Sequence, residues 1–230
     1  MKKILFLLFG IFLISDSFAI NRAEDKNRVK DNFEEFYQDV NDEERVGIKD
    51  NKGNIIVPAV YDDIEYINNG LFIAERDDKY GLYKYNSGEI IPLKYDDISI
   101  EDYFLEVELN DKMGIINLDG ELIIPAIYDD IEFMEDCNVN MFLVELNDKQ
   151  GLYDMNGKLI VPVKYEDIEC VSKDIFVVEN KNEKYGVYNS TGKKIIAEKY
   201  DDISINRKYI EVEKGDNTFY FDFAGKKIKN

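Results

Sequence analysis

The chain has 230 residues, 45% of them hydrophobic, with 48 acidic against 29 basic side chains, no histidine and a net charge of −19. That acidity argues against nucleic acid and anionic membrane surfaces, both of which select basic patches. The missing histidine removes His-based general-base catalysis, Ser-His-Asp and Cys-His arrangements, and most catalytic zinc sites. At the start, Met1-Lys2-Lys3, an apolar run from Ile4 to Ile14, and Ser17-Phe18-Ala19 have the three parts of a secretory signal peptide. The run is short for a membrane span, so residues 1–19 are expected to be removed after Ala19 and the chain exported. Removal takes away two lysines and one aspartate, leaving a mature charge of −20. Val29, Phe33, Phe36, Tyr37 and Val40 then fall at helical spacing, so 28–41 is expected to be an amphipathic helix within an N-terminal cap spanning 20–44.

From residue 45 to 230 the chain is a tandem repeat. IIVPAVYDDI at 55–64 returns as IIPLKYDDI at 90–98, IIPAIYDDI at 123–131, IVPVKYEDI at 160–168 and, without its proline, IIAEKYDDI at 195–203. Each follows a leading glycine: Gly47, Gly81, Gly114, Gly151 and Gly186. The leading glycine and the proline position are 11 residues apart in all five copies, and the tyrosine follows three later. Fixed spacing is what a β register requires, because a one-residue slip would turn buried side chains to solvent. Tyr80 to Tyr85 alternates with aromatics and reads as a strand. A glycine hairpin follows, then a short apolar strand stopped by Pro92, since proline cannot donate to a ladder. The backbone bends through Tyr95-Asp96-Asp97, and Phe104 to Leu109 alternates apolar and acidic as a third strand. The expectation is all-β: roughly 34-residue antiparallel meander repeats, three principal strands each, forming an open curved array, with a propeller-like ring as the alternative. Five units and a partial sixth, from Thr218 to Asn230, are present.

Length varies only after the Tyr-acid-Asp-Ile block, where the following leading glycine is 17, 16, 20 or 18 residues away. Insertions confined to one point per repeat map to loops on one face of an array, and rigid scaffolds carry function on such loops. Any partner-binding site is therefore expected there, with Phe133, Met134, Glu135 and Asp136 of the longest loop, Tyr66 and Tyr103 as candidates. No catalytic, cofactor-binding or metal residues are expected. The adjacent acids 62–63, 96–97, 129–130, 166–167 and 201–202 recur with the fold, and neighbours on a strand point to opposite faces, which disfavours a shared calcium ion. The second acid, Asp63, Asp97, Asp130, Asp167 or Asp202, is expected to accept backbone hydrogen bonds at the bend. The repeated tyrosines 61, 95, 128, 165 and 200 are expected in the core rather than along a glycan groove. Cys137 and Cys170 are free to pair in an oxidising compartment, though spacing does not establish that they do.

These blocks resemble the WG (or KWG) repeat of bacterial proteins, in Lys79-Tyr80-Gly81-Leu82, Lys112-Met113-Gly114-Ile115, Lys149-Gln150-Gly151-Leu152 and Lys184-Tyr185-Gly186-Val187 and in the Pro and Tyr positions. The chain departs from the pattern in having no tryptophan: Val46, Tyr80, Met113, Gln150, Tyr185 and Thr218 stand at that place. The resemblance implies a binding or surface module without a shared activity. The reading is thus an exported, periplasmic or envelope, non-enzymatic module for an unknown protein or envelope polymer; the alternatives are an envelope carbohydrate binder or glycoside hydrolase, and a purely structural envelope protein.

Overall fold

The computed structural model describes residues 33–67, 70–134, 140–172 and 174–229, and every regular element among them is a β-strand. The chain divides after Tyr61 into two compact units. In the first, β1 (Phe33–Val40), β2 (Glu43–Asp50) and β3 (Ile55–Tyr61) form an antiparallel sheet in the order β1-β2-β3. The expected helix is not there. Phe33–Val40 pairs along its whole length with β2, from Phe33↔Asp50 to Val40↔Glu43. The tight turn between them is Asn41-Asp42, both with positive φ (53° and 65°), the conformation that lets a two-residue hairpin follow strand twist. Phe33, Phe36 and Val40 are half-buried at a spacing that mimics a helix, but the turn and the ladder outweigh a weak period. Residues 28–32 of that expectation lie outside the described residues.

The second unit holds five four-stranded sheets, each an antiparallel meander in chain order. They are β4 (Asp63–Tyr66), β5 (Leu71–Arg76), β6 (Lys79–Lys84) and β7 (Gly88–Tyr95); β8 (Asp97–Ile100), β9 (Phe104–Glu108), β10 (Met113–Asn117) and β11 (Leu122–Tyr128); β12 (Asp130–Met134), β13 (Met141–Glu145), β14 (Gln150–Asp154) and β15 (Leu159–Tyr165); β16 (Asp167–Ser172), β17 (Ile175–Asn180), β18 (Lys184–Asn189) and β19 (Lys194–Tyr200); and β20 (Asp202–Ile205), β21 (Ile210–Lys214), β22 (Asn217–Phe221) and β23 (Lys227–Ile228). The sheets therefore have four strands rather than three. The Tyr-acid-Asp-Ile block is not one bend but a sheet boundary: its tyrosine ends one sheet and its second acid opens the next.

The proline does not stop its strand either, since β7, β11 and β15 run through it. Opposite the leading glycine the register slips. Tyr80 pairs with Tyr95 but Leu82 pairs with Ile91, so two steps on β6 meet four on β7, and the same bulge recurs in every Gly-to-Tyr hairpin from Val46↔Tyr61 to Tyr185↔Tyr200. A bulge leaves residues unpaired, so a proline without an N–H costs nothing there. Ala197 replaces proline in β19 and the bulge persists, so the proline tolerates the bulge rather than causing it. The leading glycine permits it: a Cβ on Gly114 would lie 2.6 Å from the Ala126 nitrogen and 2.8 Å from the Ile124 oxygen.

Apolar layers fill the space between successive sheets of this unit. Leu71, Ile73, Leu82 and Tyr95 meet Ile98, Leu105, Val107 and Ile116. Phe104, Ile115 and Tyr128 meet Ile131, Phe142 and Val144, and two further layers repeat the pattern around Tyr165 and Tyr200. The five repeated tyrosines are 1–6% exposed, as expected of core. Two of their hydroxyls have partners at the layer's rim: Tyr128 and Tyr153 hydroxyls are 2.7 Å apart, Tyr165 and Tyr188 2.9 Å, and Tyr165 also donates to Glu198, which pairs with Lys194 at 2.7 Å. Burial first, then these contacts, holds the Tyr128 and Tyr165 hydroxyls far above the usual tyrosine range.

Candidate functional site

An up-and-down meander puts the β5–β6 type of turn and the sheet boundary at one end of each sheet, and the variable loops with the glycine hairpins at the other. The two ends are built differently.

At the boundary end the first acid of each pair does the work, not the second as expected. Asp96 accepts a hydrogen bond from the Asn110 backbone N–H (2.6 Å) and pairs with Lys79; Asp129 accepts from Asn147 N–H (2.6 Å) and pairs with Lys112; Asp201 accepts from Gly215 N–H (2.7 Å) and pairs with Lys184 (3.1 Å). Asp62 likewise accepts from Asp77 N–H (2.8 Å). One carboxylate thus clamps the next turn and neutralises the lysine of the Lys-x-Gly signature. The Lys79 and Lys112 ammonium groups, ahead of the backbone bonds, hold Asp96 and Asp129 below the usual carboxylate range; for Asp201 the Gly215 N–H leads. Glu166 keeps only the lysine, Lys149 at 2.7 Å, while Asn180 caps its own longer turn through Asn182 and Lys184 N–H. Three of the four clamped turns are Asp77-Asp78, Asn110-Asp111 and Asn147-Asp148, all with positive φ, and the fourth begins at Gly215 (φ 56°). That recurring dipeptide is a signal the repeat reading passed over.

The second acids stand across the strand from glutamates: Asp63↔Glu75, Asp97↔Glu108, Asp130↔Glu145, Asp167↔Glu179 and Asp202↔Glu213. Like charges directly opposite are unfavourable, so this row costs stability at neutral pH. Asp130 and Asp202 accept only from the adjacent Ile131 and Ile203 N–H. Among the described residues no group of three or more carboxylate or cysteine side chains is arranged to hold a metal ion. The tryptophan position is a packing site: Tyr80, Met113 and Tyr185 are half-buried, and the Gln150 side-chain oxygen accepts the Ile168 N–H of the next sheet (2.9 Å).

At the loop end the candidates separate. Phe133 and Met134 belong to strand β12 rather than to an exposed loop, opposite Phe142 and Met141. Phe133 packs on Phe104 and Phe142 (ring centroids 5.2 and 5.3 Å), and Met134 on the layer around Tyr165. Glu135 and Asp136 lie outside the described residues. Tyr66 ends β4 and packs on Phe72 of its own sheet (5.2 Å). Tyr103 is 53% exposed, with its ring 6.0 Å from Phe133. The structure therefore brings Tyr103 and Phe133 together and leaves Tyr66 on another sheet.

Sequence reasoning missed Glu106, beside this pair. Its partners across the ladder make it equivalent to Ile73, Leu143 and Val177 of neighbouring sheets. It projects from the same side of β9 as Phe104, toward the β12–β15 sheet, so a half-buried carboxylate stands where the other layers place an aliphatic side chain. Burial first, then the charges of Glu101, Asp130, Asp97 and Glu108, pushes it up to about 6. A register alignment does not single it out, since Glu211 of β21 and Glu35 of β1 hold the same ladder position; the sheet stacked against β9 does. Cys170, near the loop end of β16, is disulfide-bonded; the chain's other cysteine, Cys137, lies outside the described residues.

A family model described as a WG containing repeat matches residues 47–80, 113–149, 151–185 and 185–217. The chain belongs to this family. The unmatched stretch 81–112 has the same sheet geometry. A comparison with curated proteins finds no match. Among solved structures the chain is similar to Hsv2 of Kluyveromyces marxianus (10% identity, TM-score 0.30, covering 72% of this chain and 62% of that one). It is also similar to apo AztD of Citrobacter koseri (12%, 0.32, 85% and 69%) and to the WD40 β-propeller domain of Doa1 (13%, 0.26, 80% and 74%). The chain spans less than two thirds of the length of the Hsv2 structures that head these matches. Among the described residues no helix is long and apolar enough to cross a membrane.

Proposed function

We propose that this WG-repeat protein is an exported, non-enzymatic binding module of a bacterial cell envelope that presents its variable loop end to a partner. The observation carrying this reading is the asymmetry between the two ends. The boundary end repeats one clamp of acid, lysine and turn from sheet to sheet, which suits a scaffold. The boundary end departs from this pattern only in the longer turn capped by Asn180, whereas the loop end varies in length and chemistry from sheet to sheet and carries the exposed Tyr103. The disulfide-bonded Cys170 and the N-terminal signal pattern support an oxidising, exported setting.

The test is capture from envelope and culture fractions with the mature chain, with a chimera in which 135–140 are replaced by Glu-Asp, and with a boundary-end variant, Lys112→Ala. Partners recovered by the mature chain and by Lys112→Ala but lost by the chimera support the reading. Equal recovery by all three moves the binding face away from that loop. N-terminal sequencing of the exported protein should begin at Ile20; a membrane-bound form starting at Met1 would refute export by cleavage.

A further inference from the structure

Four aromatic rings form a path from the core to the surface at the loop end of the β8–β11 and β12–β15 sheets. Phe142 is fully buried, Phe104 is 5% exposed with its ring 4.9 Å away, Phe133 is half-buried against both, and Tyr103 is 53% exposed against Phe133. Exposed tyrosine backed by buried aromatics is the composition that interfaces use as an anchor, because little side-chain freedom remains to be lost on binding.

The charge around this path has one sign. Glu101 and Asp102 are exposed beside Tyr103, and Glu106 stands half-buried below. The groups that act on Glu106 are Glu101 from the β8–β9 loop, Asp97 from β8, Glu108 from β9 and Asp130 from β12, all acids. Among the described residues no lysine or arginine pairs with Glu101, Asp102 or Glu106, whereas at the boundary end four lysines are matched to four acids. The aromatic path opens at the end opposite these clamps.

We propose that the surface formed by Tyr103 and Phe133 docks a cationic segment of a partner protein, with the stem of an arginine or lysine along Tyr103 and its head among Glu101, Asp102 and Glu106. This rests on the loop-end binding reading above and names the chemistry of the partner. A flat aliphatic stem suits a tyrosine face, a cation over an aromatic ring is attracted by its quadrupole, and a half-desolvated carboxylate gains more from an incoming cation than an exposed one.

The probe is a fluorescein-labelled dodecapeptide with arginines spaced among leucines, titrated by anisotropy at physiological salt against the mature chain. Tyr103→Ser and the double variant Glu101→Gln/Asp102→Asn should each weaken binding by about tenfold, the size of one lost anchor. The double variant Asp78→Asn/Asp148→Asn removes the same charge from exposed turns at the boundary end and should change affinity by less than about twofold. Equal losses in the two double variants would show diffuse attraction to an acidic protein and overturn the site. So would an unchanged Tyr103→Ser variant or a peptide that does not bind. In any of those cases, loss of capture by the 135–140 chimera would still support loop-end binding, so the two readings fail separately.

Discussion

Replacing Glu106 isolates the cost of a carboxylate in an otherwise aliphatic layer. Unfolded, this group ionises near 4.5; in the fold, burial and four neighbouring acids push it up to about 6. A raised acid favours the protonated fold, so the contribution is neutral below about 4.5, turns unfavourable as pH rises through about 6, and is fully unfavourable above that. The gap between the two values sets a ceiling of about 2 kcal/mol. Glu106 is only half-buried, so solvent screening reduces this to about 1 kcal/mol. In a chain of this size that is worth about 2–4 °C in Tm. Glu106→Gln removes the charge and keeps the shape. Its Tm should exceed that of the parent by about 3 °C at pH 7.5, with the gain shrinking to nothing by about pH 4. Glu106→Leu, the residue type of the equivalent position in β13, should add a pH-independent gain of about 1 kcal/mol from apolar burial. The assay is thermal unfolding by circular dichroism from pH 4 to 8 for the parent and both variants. A Glu106→Gln gain that is the same at every pH, or absent at pH 7.5, would refute an electrostatic cost at this site.

Tyr165→Ala should destabilise by about 3–5 kcal/mol, as large aromatic truncations do, whereas Tyr128→Phe removes only the hydroxyl contact to Tyr153 and should cost about 1 kcal/mol; urea unfolding distinguishes the two. Gly114→Ala places a methyl against the Ala126 backbone and should cost at least about 1–3 kcal/mol by the same assay, while an effect near zero would mean the bulge is not packed as described. Lys112→Ala should cost under about 1 kcal/mol, as exposed ion pairs do, but Asp129→Ala should cost more because the Asn147 N–H loses its acceptor. Because Asp129 is held below the usual range, its contribution is present above the unfolded carboxylate range and is lost as pH falls through the lower folded value. The difference between the Asp129→Ala variant and the parent should therefore disappear in acid.

The repeat was legible from the sequence alone. A fixed distance from glycine to tyrosine preserves strand register, and register is a local property that a linear pattern can record. Burial of the five tyrosines followed from the same pattern, since a side chain repeated at every layer is part of the layer. The tertiary structure decided what depends on partners far along the chain. Asp96 and Asp97 are adjacent and alike in sequence, yet one clamps the turn at Asn110 and the other faces Glu108, because the sheet boundary falls between them. Phe33–Val40 carries a helical period but has β2 beside it, and eight ladder pairs outweigh a periodicity. Phe133 and Met134 read as loop until pairing with Phe142 and Met141 claimed them for β12. Glu106 looked like one acid in an alternating strand; only the sheet stacked against β9 makes it a charge in an apolar layer, because what raises it is desolvation by another sheet and the charge of Asp130 across the gap.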